Sequence, residues 1–210
     1  MSYAGPMPLI GIAGKKRSGK DTVAKALEPF GYQRVGFADE LKKMALEINP
    51  VIAAEEDASN WPPSPIAVRL GDMVAALGWE DAKDDTPEVR KFLQELGTSV
   101  RDRDRSFWVR AAFMRVNPAL ADGYGVVVPD VRFPNEVDAI RRAGGAVVLV
   151  VRPGRPDDGD RHVSETALDG IAFDHTVFND ADLDTLERRA VEALAECNVP
   201  TPLREVPRWS

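Results

Sequence analysis

The stretch Leu9-Ile10-Gly11-Ile12-Ala13-Gly14-Lys15-Lys16-Arg17-Ser18-Gly19-Lys20-Asp21-Thr22 constrains this chain more than any other. An apolar run leads into GxxxxGK and then into helix-forming residues, the strand, loop and helix order of a phosphate-binding P-loop. Gly14 and Gly19 let the backbone curl around an anion. The N–H groups of a loop through Lys15, Arg17 and Ser18 then point at phosphate oxygens, and the following helix adds its positive dipole end. Lys20 is placed to reach the β- and γ-phosphates of a nucleoside triphosphate. The position after the lysine usually carries a hydroxyl that helps hold Mg²⁺. Here it is Asp21, so either Asp21 takes over the metal or Thr22 compensates. A glycine-rich turn that binds nothing is the plainer alternative. Against it, Lys15, Lys16, Arg17 and Lys20 gather positive charge in a chain of formal net charge -7, the pattern of a local anion site.

With 210 residues, 44% of them hydrophobic, the chain suits one α/β domain with elaborations. The single cysteine, Cys197, excludes an internal disulfide and gives no zinc spacing, which points to a reducing cytoplasmic setting. Gly5, Pro6 and Pro8 break up the N-terminal stretch, so neither a signal peptide nor a membrane span is expected. The acidic balance argues against polymeric nucleic acid as a partner. A homodimer stays open.

Along the chain, Pro8–Ala13 reads as a strand and Gly19–Leu27 as a helix. Tyr32–Phe37 reads as a second strand, with Asp39 as N-cap of a helix over Glu40–Ile48 that Asn49-Pro50 stops. A proline-rich, acidic stretch follows, then a helix through Val68, Leu70, Met73, Val74 and Leu77. Another helix is expected over Pro87–Leu96, with Gly97 beyond its end, and one over Phe107–Val116 before Asn117-Pro118. Further strands fall at Gly125–Val128, Ala146–Val151 and Thr176–Phe178, with helices over Glu136–Ala143 and about Leu183–Glu196. Apolar strands that fail to alternate predict a parallel sheet covered on both faces. The expected architecture is a P-loop NTPase-like three-layer α/β/α domain with a mostly parallel sheet. Its core is expected over about 8–37, 109–151 and 172–197, with a helical insertion over about 38–108 and a lid over about 152–170.

Asp130, at the end of an apolar strand, matches a Walker B carboxylate that holds Mg²⁺ opposite the P-loop; a turn or capping role is the alternative. Arg132 lies two residues on. The arginine-rich segment after Val151, with Arg152, Arg155 and Arg161, has the composition of a lid whose cations close over a transferring phosphoryl group. A surface loop with internal ion pairs fits the same composition.

The loop GKKRSGKDT (14–22), FADELK (37–42), LQELGT (93–98) with Trp108 downstream, DVRFPNE (130–136) and HVSE (162–165) resemble, in the same order, the bacteriophage-type deoxynucleoside monophosphate kinases. The Asp after the P-loop lysine is typical of that family. The resemblance implies transfer of the γ-phosphoryl group of ATP to a deoxynucleoside 5′-monophosphate, with Mg²⁺, in the cytoplasm, the host's for a phage-encoded chain. It implies Lys20, Arg132, Arg155 and Arg161 as catalytic cations and Asp21 and Asp130 at the metal, with Asn179 bordering the adenine through its backbone. The acceptor nucleotide falls to Asp39, Gln94, Thr98, Arg101, Trp108, Arg132, Glu136, His162 and Glu165. The run VRDRDRS (100–106) departs from the family pattern and leaves the choice of acceptor arginine open. A phosphate acceptor is already anionic near neutral pH, so positioning and charge, not a strong base, carry the chemistry. Two other readings stand: a small-molecule kinase such as a dephospho-coenzyme A kinase, with Asp39 as base, and a nucleotide-binding regulatory protein without catalysis.

Overall fold

The strands LIGIA, GVVVPDV and AVVLVV are too uniformly apolar to expose either face, and they lie side by side in a sheet covered on both. A computed structural model describes residues 9–57, 64–154 and 166–197. Arg155, Arg161, His162, Glu165 and the tail after Asn198 lie outside the described residues. The chain divides into two compact units, Met1–Phe37 with Val109–Ser210, and Ala38–Trp108.

In the first unit five parallel strands run in the order β2-β5-β1-β6-β7: β1 (Leu9–Ala13), β2 (Tyr32–Arg34), β5 (Gly125–Val131), β6 (Ala146–Val151) and β7 (His175–Phe178). Alternate residues of each strand point to opposite faces. Ile10, Ile12, Val127, Val148 and Val150 face α1 (Lys20–Leu27) and α7 (Leu183–Glu196), against Val23, Leu27, Leu186 and Leu194. Leu9, Val126, Val128 and Val147 face the other way, toward Ala112 and Val116 of α5 (Phe107–Ala121) and Val137 and Ile140 of α6 (Pro134–Arg142). Burying each such Val, Leu or Ile contributes about 1.5–3 kcal/mol, and the two cores make the three-layer α/β/α architecture. The described residues contain no helix long and apolar enough to cross a membrane.

The second unit holds α2 (Ala38–Ile48), an antiparallel pair β3 (Val51–Asp57) and β4 (Ser64–Arg69), α3 (Leu70–Asp85) and α4 (Pro87–Arg103). Ala45, Leu70, Val89 and Leu93 are its buried centre, with Leu41, Met73, Phe92 and Leu96 packed on them. Asn49 joins two helices here. Its φ of 46° breaks α2, and its Oδ1 accepts the Gly71 N–H at 2.8 Å in the first turn of α3.

Several sequence expectations need correction. The second strand stops at Arg34, because Val35 still donates to Val127 O whereas the Phe37 N–H goes to the Asp130 carboxylate. Asp39 lies inside the first turn of α2, which starts at Ala38, so it is not that helix's N-cap. The proline-rich region is flanked by a hairpin, and Val68 sits in its second strand. Helix α4 runs past Gly97 to Arg103. Gly97 marks a close approach there: a Cβ would lie 3.3 Å from Leu41 Cδ2, and its carbonyl accepts the Trp108 Nε1–H at 3.1 Å. Helix α5 carries Pro118 inside it. The hydrogen bond this forfeits belongs to the carbonyl four residues earlier, at Met114, which is 79% exposed and leaves water to replace it.

Candidate active site

The P-loop forms where β1 ends. Gly14, with φ 147°, leaves the strand, Arg17 sits in the left-handed region at φ 57°, and Gly19 turns into α1 at φ 106°. A Cβ on Gly14 would lie 2.5 Å from Val150 O, so only glycine lets the loop pass so close under β6. The Ser18 N–H closes a turn onto Lys15 O at 3.1 Å. Gly19 is the N-cap of α1 and no side chain caps the helix, leaving its first amides in the arrangement that binds anions.

Lys20 is 8% exposed, and its Nζ donates to Gly14 O and Lys15 O, both at 2.7 Å. A phosphate entering the loop therefore meets an ammonium already held in place. Ser18 Oγ and Tyr32 Oη are buried with no hydrogen-bond partner among the described residues, and of the two only Ser18 lies in a loop built to meet an anion. Lys15 and Arg17 are exposed. Asp21 projects outward, 83% exposed, with its carboxylate 3.7 Å from Arg34 NH2. Arg34 gave no signal in the sequence, since the two residues meet only once β2 is placed.

Asp130 stands at a break in β5, next to the central strand. Between β1 and β5 the register runs Gly11↔Val128 and then Ala13↔Val131, so β5 carries one extra residue around Pro129. Proline cannot supply a ladder N–H, and the resulting bulge re-aims the next side chain. The half-buried Asp130 accepts the Phe37 N–H on Oδ1 at 2.8 Å. Six residues on, Glu136 is 2% exposed, and its Oε2 accepts the N–H groups of Arg132 at 2.7 Å and Phe133 at 3.0 Å. Glu136 thus fixes the backbone from which the half-buried Arg132 projects.

At the far edge, Asn179 follows β7. Its Nδ2 donates to Ser18 O at 2.9 Å, a contact across 161 positions that the sequence could not show. Arg189 of α7 donates to Phe178 O and, at 2.6 Å, to Asp180 Oδ1. That hydrogen bond holds the exposed Asp180 carboxyl below its ordinary value.

In the second unit Gln94, Thr98 and Arg101 recur along α4 at the i, i+4, i+7 spacing that lines up one helix face, and all three are half-buried. Trp108 is different. At 3% exposure, with its N–H given to Gly97 O, the indole offers no open ring face for a base and serves as packing. Among the described residues no group of three or more His, Cys, Asp or Glu could hold a metal unaided.

A family model described as deoxynucleotide monophosphate kinase matches residues 73–190, more than half of the chain. The chain belongs to that family. The match starts downstream of the P-loop, so the loop is an independent observation. It takes in α4, the Asp130 bulge, Glu136 and Asn179. A protein of ictalurid herpesvirus 1, itself uncharacterized, is 38% identical over 110 residues, 50% of this chain and 47% of that protein. The deoxynucleotide monophosphate kinase of phage T4 is 36% identical over 106 residues, 49% of this chain and 44% of the phage enzyme. The match thus spans about half the length of these curated relatives. A putative deoxynucleotide monophosphate kinase of Acanthamoeba polyphaga mimivirus is 29% identical over 185 residues, 85% of this chain and 91% of its own. Among solved structures, a dephospho-CoA kinase from Campylobacter jejuni superposes with a TM-score of 0.49 at 12% identity, covering 92% of this chain and 98% of that one. A likeness at that level assigns no chemistry to a deoxynucleotide monophosphate kinase family member.

Proposed function

We propose that this chain transfers the γ-phosphoryl group of ATP to a deoxynucleoside 5′-monophosphate, giving the diphosphate and ADP. The observation that carries the reading is a P-loop with its lysine already seated, in a chain whose downstream half matches the deoxynucleotide monophosphate kinase family. The loop amides and the α1 N-terminus bind the donor phosphates, and Lys20 stabilises charge on the β- and γ-phosphates. Gln94, Thr98 and Arg101 bind the acceptor, Asp39 the acceptor's sugar, and Arg132 the acceptor phosphate from a backbone that Glu136 holds. Arg155 and Arg161 act as closing cations, with His162 and Glu165 at the acceptor.

The donor set fits magnesium in the way nucleotide kinases use it, with one or two carboxylates joined to substrate phosphates and water rather than an all-protein cage. Asp130 is the first such carboxylate; Asp21, which in the free protein is exposed beside Arg34, would leave that pairing to serve as the second. Bound with the nucleotide, Mg²⁺ would neutralise charge on the β- and γ-phosphates. An acceptor phosphate needs no proton removed by a strong base, so the protein's part is alignment and charge.

The test is ADP release with ATP, Mg²⁺ and each deoxynucleoside and ribonucleoside monophosphate in turn, with dephospho-coenzyme A and no acceptor as controls. Turnover with deoxynucleotides supports the proposal. Release only with dephospho-coenzyme A, or none with any acceptor despite ATP binding, overturns it.

A further inference from the structure

We infer that Asn179 is a positioning residue that locks the Ser18–Gly19 peptide in the orientation the phosphates need. A trans peptide points its C=O and N–H in opposite directions. With the Ser18 carbonyl held at 2.9 Å by Asn179 Nδ2, the Gly19 N–H of the same peptide points away from Asn179, which on the nucleotide reading of the loop is toward the phosphates. A lock is needed because Gly19, at φ 106°, is the residue type for which reversing a peptide costs least. The lock is itself anchored. The Asn179 N–H donates to Val151 O at 2.7 Å, and Arg189 ties the carbonyl before it and the carboxylate after it to α7. Gly19 is fitted to the carboxamide, because a Cβ there would lie 2.7 Å from Asn179 Nδ2. The side chain of Asn179 therefore acts on ATP through the loop, a role separate from any backbone contact with adenine.

This inference rests on the nucleotide reading of the loop. Its test uses the full chain with Asn179→Leu, which keeps the bulk without a donor, and Asn179→Asp, which sets an acceptor against the Ser18 carbonyl. ATP and adenosine are titrated by calorimetry and by the amide spectrum of ¹⁵N-labelled protein, with melting curves to establish folding. The expected result is ATP affinity lower by about tenfold in both variants, the size of a lost buried hydrogen bond. Adenosine affinity stays unchanged, and the ATP-induced shift of the Gly19 amide disappears. Equal ATP affinity in wild type and either folded variant overturns the inference, as does an equal loss for adenosine. Failure of the wild type to bind ATP overturns the nucleotide reading itself, and the lock with it.

Discussion

At the scale of single residues, the loop holds two polar groups out of water. The Lys20 ammonium is nearly buried against two carbonyls, and the Ser18 hydroxyl is buried without a hydrogen-bond partner among the described residues. Lys20→Ala removes the cation that offsets charge on the donor phosphates and should lower turnover by roughly a thousandfold. Steady-state rates at saturating ATP check this, and near-normal turnover in a folded variant contradicts the donor site. Ser18→Ala should act with opposite signs on stability and binding. Removing an unsatisfied buried hydroxyl stabilises the free protein by about 1 kcal/mol, while ATP binding weakens. Urea titration and calorimetry on the same sample separate the two effects. Asp130→Asn keeps an oxygen for the Phe37 N–H and so keeps the fold, but it loses the charge. Its Mg²⁺ requirement should rise by at least roughly tenfold, measured as the metal dependence of turnover.

Whole elements meet through fitted surfaces. Ile140 of α6 occupies the notch that Gly11 leaves in β1, where a Cβ would stand 2.5 Å from Ile140 Cδ1 and 3.0 Å from Val131 Cγ2. Gly11→Ala should therefore cost about 1–3 kcal/mol through overpacking, and adding Ile140→Val should recover part of it. A double-mutant cycle in urea measures that coupling. The turn between β7 and α7 adds a pH dependence. Asp180 is held below its ordinary value by the Arg189 hydrogen bond, and Asp182 by its hydrogen bonds with Thr185. A carboxyl lowered in the folded state contributes stability above its unfolded pKa, about 3.9, and loses it as pH falls through the folded value. Asp180→Asn should thus flatten the loss of stability between about pH 5 and pH 2, as read from urea midpoints. Both carboxyls are exposed, so added salt should shrink the effect.

For the molecule as a whole, what the sequence disclosed follows the range of the interactions involved. The P-loop is local: two glycines, a lysine and the apolar strand before them fix loop, helix and strand within 19 residues of one another. The unbroken apolar character of Val126–Val128 and Val147–Val150 announced a parallel sheet with helices on both faces, and that is the architecture found. Local signals failed where a distant partner overruled them. Gly97 reads as a helix stop, yet it is the thin point of a helix crossing beside Leu41. Trp108 falls to the acceptor by resemblance alone, and its burial makes it packing. Pro129 argues against a central strand, and the bulge it makes is what turns Asp130. Asn179 had only its place after the last strand to recommend it, and its bond to Ser18 depends on the finished sheet.

The central claim is phosphoryl transfer from ATP to the phosphate of a deoxynucleoside monophosphate. The most direct measurement is ³¹P NMR of wild-type protein incubated with ATP, Mg²⁺ and a mixture of the four common deoxynucleoside monophosphates. The account predicts β-phosphate resonances of one or more deoxynucleoside diphosphates growing in step with ADP, and none from the Lys20→Ala protein. ADP accompanied only by inorganic phosphate, or monophosphates left unchanged while ATP is bound, would contradict it.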